Sequence, residues 1–317
     1  MIPGMYEPAD ALVSPRFTGP RTFARLPHTD ALDGVDCALH GIPWDGGTSF
    51  RSGARFGPEG IRSASALLRP YNPAQGIAVF GALSCVDRGD APTVPGYIGE
   101  TLDRIAGWVE PIARAGVIPL GMGGDHSVTL GELRGLARVH GPLGLVQLDA
   151  HGDLWDSYFG LPLNHGTVFR RALDEGLIDP ARTIQAGMRG PLYGPEDVEL
   201  PATLGVDCIP GPALRELTAA QFADRVRGRV GAGPTFFTFD VDFRDPAVCP
   251  ATGTPEPGGP SAERALDLVR ALQGIDFRGF DVVEVAPQYD GPGQITSLLA
   301  ANVLYEMLTL VAMAKRG

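Results

Sequence analysis

Cysteine is scarce in this sequence. The four residues (Cys37, Cys85, Cys208 and Cys249) are scattered through 317 positions with no CxxC pair. That excludes a disulfide framework and a thiolate metal site, and predicts reduced, mostly buried thiols in a cytoplasmic protein. Positive charge is also short, with 26 Lys and Arg against 37 Asp and Glu and a net charge of −11. No basic patch is dense enough to neutralise phosphates, so nucleic acid is excluded as a partner, and the field weakly favours cationic ligands. The opening stretch MIPGMYEPADALVSPRF has acidic residues and prolines but no apolar core, so no signal peptide is expected there. No uninterrupted apolar run reaches membrane-spanning length. The richest stretch, Ile295–Ala314, carries Asn302, Tyr305 and Glu306, which predicts a buried or subunit-contacting helix rather than a membrane span. Repeats and low-complexity linkers are missing too. The expectation is one catalytic domain over 31–317, preceded by a surface arm over 1–30.

What is present is alternation. Apolar runs with β-branched residues predict strands at Val35–Ile42, Val117–Met122, Leu143–Asp149, Arg182–Met188, Val206–Ile209, Thr235–Val241 and Phe280–Val285. Amphipathic or capped stretches predict helices at Pro58–Leu68, Tyr97–Ala115, Thr167–Glu175, Ala219–Val230, Ala262–Leu272 and Ile295–Ala314. Another is expected from the N-cap Ser127 to His140-Gly141-Pro142. This order predicts a single three-layer α/β domain, with a mainly parallel sheet and helices on both faces.

Three acidic clusters follow three of these strands. Asp149, His151 and Asp153 alternate in "QLDAHGDLWD", and so do Asp240 and Asp242 in "FTFDVDFRDP". Period-two geometry puts the members of each set on one face if the chain stays extended. His126 follows a third strand in "GMGGDHS". All lie at C-terminal strand ends, where open α/β sheets bind ligands. Uncompensated carboxylates there would cost several kcal/mol each. Divalent cations are the natural partner, and mixed His/Asp donors suit first-row metals. Six donors, with Asp149, Asp153 and Asp242 able to bridge, suggest two ions that activate water for attack.

"GGDHS", "DAHGD" and "FDVDFRDPAVCPATGTPEPGG" closely resemble the three signatures of the ureohydrolase family, which comprises arginases, agmatinases and guanidino-acid hydrolases. The likeness extends over nearly the whole chain. "GTSFRSGARFGPEGIR", "NHGTVFRRA" and "TSLLAANVLYEML" look most like the guanidinobutyrase and guanidinopropionase branch. The resemblance implies an arginase-like fold and hydrolysis of a guanidinium to urea and an amine. It implies two Mn²⁺ ions on His126, Asp149, His151, Asp153, Asp240 and Asp242, with Ni²⁺ a second candidate. Asp153 is then also catalytic, His165 in "NHGT" matches the proton shuttle, and Glu284 in "DVVEVAPQYD" matches the carboxylate that grips the guanidinium. Asp125 and Asp245 are candidates for orienting ligands or for turn residues.

The distal end of the substrate is less defined. Arginases carry Asn where this chain has Trp155, so arginine is disfavoured. Trp155, Thr254 and Arg189 are the substrate-contact candidates, with Arg244 as a second cation, and Trp155 and Phe243 suggest an apolar pocket. A guanidino acid such as 4-guanidinobutyrate is the leading substrate. Agmatine, an N-alkylated guanidine or a biguanide is the alternative. The resemblance further implies a homo-trimer or homo-hexamer. An inactive partner subunit of a hetero-oligomer is the different-class alternative, but no metal ligand is missing.

Overall fold

The computed structural model describes residues 5–316. Ten strands occur among them: β1 (Cys37–Gly41), β2 (Tyr71–Asn72), β3 (Ile77–Ala78), β4 (Cys85–Asp90), β5 (Ile118–Met122), β6 (Leu143–Leu148), β7 (Ile178–Ala186), β8 (Asp207–Ile209), β9 (Thr235–Asp240) and β10 (Phe277–Val283). Eight form one sheet in the order β4-β1-β5-β10-β9-β6-β7-β8. Every pairing in it is parallel. β2 and β3 make a separate antiparallel hairpin.

Alternation along the strands divides the interior in two. Phe237 and Phe239 of β9 and Val146 and Leu148 of β6 face one core, with the helices Ala219–Val230, Ala262–Arg270 and Ile295–Arg316. Phe236, Leu143 and Leu145 face the other, with the helices Ile98–Arg114, Val128–His140 and Val168–Asp174. Both sheet faces are thus covered, as the strand–helix alternation predicts. Each Phe or Leu buried there contributes about 1.5–3 kcal/mol against conformational entropy.

The last helix, Ile295–Arg316, is long and apolar enough to cross a membrane by composition, but most of it is buried inside the protein. The helix Val128–His140 begins where expected. Ser127, however, makes no side-chain cap to it, and its hydroxyl donates to Asp125 instead. The edge strand β4 and the helices Glu196–Thr203 and Gly211–Glu216 have no counterpart in the sequence expectation. β4 ends in the polar run Asp87-Arg88-Gly89-Asp90, which hides a strand pattern. In the N-terminal stretch Phe23, Ala24 and Leu26 are buried, and Phe23 N–H donates to Asp87.

Candidate active site

β9 and β10 are late in the chain but insert between β5 and β6. The four central strands therefore end side by side, and each releases its loop onto the same edge. His126 follows β5, Glu284 follows β10, Asp240 closes β9, and Asp149 follows β6.

The clustering is real, but its local cause differs from strand alternation. β6 stops at Leu148, and the chain beyond it curls. Asp149 Oδ1 accepts the His151 N–H at 2.7 Å, and Asp153 adopts φ +51. Past β9, Val241–Phe243 forms a 3₁₀ turn, in which Asp240 Oδ1 accepts the Asp242 N–H at 2.8 Å. Turns capped by the carboxylates themselves aim the donors.

Two donor groups result: His126, Asp149 and Asp153, then Asp149, His151 and Asp242. Asp149 belongs to both. His126 Nδ1 lies 3.1 Å from Asp149, 3.0 Å from Asp153 and 3.3 Å from Asp240. His151 Nδ1 lies 3.0 Å from Asp242. His126 Nδ1 is buried without a hydrogen bond, while its Nε2 meets Thr238 Oγ1 at 2.9 Å. Burial, reinforced by the charges of Asp242 and Asp149, holds the Asp240 carboxyl well above its ordinary range. Burial likewise pushes Asp242 up to about 6, and it raises Asp153, with Asp149 adding to the effect. Burial also opposes charge on His126, but the adjacent Asp149, Asp153 and Asp240 carboxylates outweigh it and raise that imidazole well above normal. Acids that resist ionising together, around two imidazole nitrogens aimed inward, fit a pair of divalent cations.

A second pair adjoins this cluster. His165 Nδ1 lies 2.9 Å from Glu284 Oε1, and Ser49 N–H and Oγ lie 3.1 and 2.7 Å from His165 Nε2. Burial lowers the His165 pKa, but the Glu284 carboxylate overcomes it and the result is about 9. Glu284 Oε1 also accepts the His126 N–H, whereas its Oε2 is buried and unpartnered. Glu284, like Asp153, has a left-handed backbone, φ +64. Non-glycine residues pay conformational energy there, and such positions concentrate at functional sites.

A cavity of roughly 890 Å³ opens onto His151, Asp153, His165, Asp240 and Thr254. Trp155 forms part of its wall, stacked on Tyr158 and donating from Nε1 to Asp197 at 3.0 Å. Thr254 sits 3.4 Å from Asp242. Arg189 reaches the wall, but its guanidinium donates to the backbone carbonyls of Gly187, Asp242, Phe243, Arg244, Glu256 and Pro257. Arg244 is buried and donates to Pro260 O. Phe243 is sealed into the core against Phe239. Asp125 holds the covering loop through Gly47 N–H at 2.7 Å, and Asp245 serves a turn through Ala247 and Gly258.

A model of the Arginase family matches residues 35–309. The chain belongs to the arginase family. It is 45% identical over 307 residues to guanidinopropionase of Pseudomonas aeruginosa, covering 96% of each chain. It is 42% identical to guanidinobutyrase of the same organism, over 98% of both chains. Proclavaminate amidinohydrolase of Streptomyces clavuligerus superposes with a TM-score of 0.90 at 41% identity, over 95% of this chain and 100% of that one. The arginase-family fold thus extends over almost the whole molecule.

Sequence reasoning missed the residues that support this arginase-family site. Gln147 Nε2 donates to Asp149 Oδ2 at 2.7 Å and is itself held by Gln185 at 2.6 Å. Thr238 contacts His126, and Thr129 donates to Asp281 at 2.5 Å. The available signal was a polar residue inside an otherwise apolar strand: Gln147 in LGLVQL, Thr238 in TFFTFD, Asp281 in FRGFDVV.

Proposed function

We propose that this chain is a binuclear-metal amidinohydrolase. It cleaves the guanidinium group of a small guanidino acid, such as 4-guanidinobutyrate or 3-guanidinopropionate, to urea and an amine. One observation carries the proposal. Two His/Asp donor groups sharing Asp149 stand beside the Glu284–His165 pair at one cavity. The similarity to guanidinopropionase and guanidinobutyrase supports the substrate class.

His126, Asp149, Asp153 and Asp240 would hold one ion, and Asp149, His151, Asp242 and Asp153 the other. The ions are Mn²⁺ on this reading, with Ni²⁺ the alternative, and the pair would supply a water-derived nucleophile at neutral pH. Glu284 Oε2, a buried acceptor lacking a donor, suits a guanidinium N–H. Asp153 takes up the hydrogen of the attacking water. A C–O bond forms at the guanidinium carbon, the C–N bond to the chain nitrogen breaks, and His165 delivers the proton that lets the amine leave. Arg189 is committed to backbone carbonyls, so Arg51, a cavity-lining cation stacked on Phe50 and Tyr289, is the better partner for a substrate carboxylate.

A specific observation favours a second reading. The aromatic wall of Trp155, Tyr158 and Tyr193, with Asp197 and Glu256 beside it, suits a cationic or alkylated chain. Agmatine, an N-alkylguanidine or a biguanide would then be the substrate. A cytoplasmic homo-trimer or homo-hexamer, with an arm over 1–30 and a catalytic domain over 31–317, completes the proposal.

The test is urea release from 4-guanidinobutyrate, 3-guanidinopropionate, agmatine, arginine, guanidine, alkylguanidines and biguanides, with Mn²⁺ and Ni²⁺ separately. Fastest turnover of a guanidino acid is expected. Preference for agmatine or a biguanide would select the second reading. No urea from any of them, with two metals bound, would overturn both.

A further inference from the structure

The His165 ring is held at both of its nitrogens. Nδ1 lies 2.9 Å from Glu284 Oε1, and Nε2 lies 2.7 Å from Ser49 Oγ. The Ser49 N–H donates to the same Nε2 at 3.1 Å. An imidazole exchanges protons only in its plane, along one direction at each nitrogen. Glu284 stands in one of these directions and the Ser49 hydroxyl in the other. A proton leaving His165 for an amine must pass one of these two partners.

The loop that carries Ser49 is tied down on both sides of it. Before Ser49, Gly47 N–H donates to Asp125 Oδ2 at 2.7 Å, and Gly47 O accepts the His165 N–H at 3.1 Å. A Cβ at Gly47 would stand 2.9 Å from Ser127 Oγ, so this close approach needs glycine. After Ser49, Gly53 N–H donates to Asp45 Oδ2 at 2.6 Å, and Arg55 Nε donates to Asp45 Oδ1 at 2.5 Å. The Ser49 N–H is therefore a fixed donor, which favours a bare Nε2, whereas the Glu284 carboxylate favours the protonated ring. The hydroxyl alone can turn: it accepts from a protonated Nε2 and donates to a bare one. Ser49 lines the same cavity as Asp153, His165 and Thr254.

We propose that Ser49 is a catalytic residue, the hydroxyl through which the proton of His165 reaches the leaving amine. The proposal rests on the amidinohydrolase reading above. As the C–N bond breaks, its electron pair stays on the chain nitrogen. That nitrogen takes the Ser49 hydrogen, and Ser49 Oγ takes the hydrogen of His165 Nε2. Ser49 ends as it began, and the Ser49 N–H satisfies the Nε2 left bare. The exit through Glu284 is poorly placed. Its Oε1 also accepts the His126 N–H, and its buried Oε2 is the acceptor assigned to the guanidinium.

The experiment measures urea release by Ser49→Ala and Ser49→Thr in the full-length, metal-loaded protein, with elemental analysis and melting temperature alongside. Ser49→Ala is expected to keep both metals and nearly the parental KM. Its kcat should fall about 10–100-fold, toward the low end for lost acid catalysis. Ser49→Thr, which keeps the hydroxyl, is expected to restore most of kcat. Two substrates of equal length separate proton delivery from packing. One is 4-guanidinobutyrate, and the other carries oxygen in place of the methylene next to the guanidine. That oxygen makes the leaving nitrogen a far weaker base, so the Ser49→Ala loss should shrink with the analogue. Ser49→Ala added to His165→Ala should lower kcat little further. Nitrogen-15 NMR of histidine-labelled protein gives a readout free of turnover: Ser49→Ala should move the His165 Nε2 resonance. Parental kcat in Ser49→Ala, an equal loss with both substrates, or an unmoved Nε2 resonance would overturn the proposal. No urea from the parent, with two metals bound, would instead defeat the hydrolase reading itself.

Discussion

Asp153 and Glu284 have left-handed backbones in a chain where most positive φ values belong to glycine. Their cost is tolerable only where the surroundings fix them, and both face the cluster of imidazoles and carboxylates. The residue types and their order were legible in the sequence. The turn geometry that aims them was not, because period-two alternation ends where β6 and β9 end. Removing a donor should be severe: Asp149→Ala, which takes away the donor common to both groups, or Asp242→Ala is expected to lose bound metal and detectable urea release. Elemental analysis beside a urea assay checks this, and full activity with two metals would refute the shared site. His165→Ala should leave both metals in place but lower kcat by about 10²–10⁴-fold, as loss of a general acid does. An unchanged kcat would remove His165 from the proton path. Trp155→Asn deletes the stacked wall and the bond to Asp197, so the order of preferred substrates should change while the melting temperature moves little. An unchanged order would make Trp155 a packing residue.

At the scale of elements, the helices Ile98–Arg114 and Val128–His140 cross closely because glycines lie between them. A Cβ at Gly131 would stand 2.8 Å from Ile105 Cβ and 2.9 Å from the Leu102 carbonyl oxygen. Gly131→Ala gains about 1 kcal/mol of helix propensity, but overpacking costs about 1–3 kcal/mol. The collision is partly with rigid backbone, so the net effect should be a lower melting temperature, readable by calorimetry; a higher one would show that the crossing can relax. Sequence periodicity located most helices within a few residues, since their apolar faces are wide. It overlooked β4 and the helices Glu196–Thr203 and Gly211–Glu216, whose polar or proline-interrupted sequences carry little period. Gly121 had no visible purpose in the sequence. In the fold it makes room for Glu132.

For the whole molecule the site is an electrostatic load in the absence of metal. Burial first, and then the charge of Glu284, raises Asp125 to about 6, and Asp242 rises similarly under burial and Asp149. A raised acid gives its full stabilisation below the ordinary Asp range and loses it as pH climbs through the folded value. The raised pKa values of His126 and His151 act in the same direction at higher pH. Asp149, which is lowered, is already fully stabilising above about pH 4. The site's share of metal-free stability should therefore fall between about pH 4 and pH 7. The rise in melting temperature on adding Mn²⁺ should grow over the same interval, because ligands must lose protons to bind. A Mn²⁺ effect that shrinks with rising pH would contradict the assignment. The sequence by itself determined the α/β class and the family signatures, because local pattern and residue type encode them. Only the tertiary structure decided that β9 and β10 enter between β5 and β6, since strand order depends on long-range pairing. The same packing committed Arg189 to backbone carbonyls and placed Thr238 against His126, residues separated in sequence and joined only in the fold.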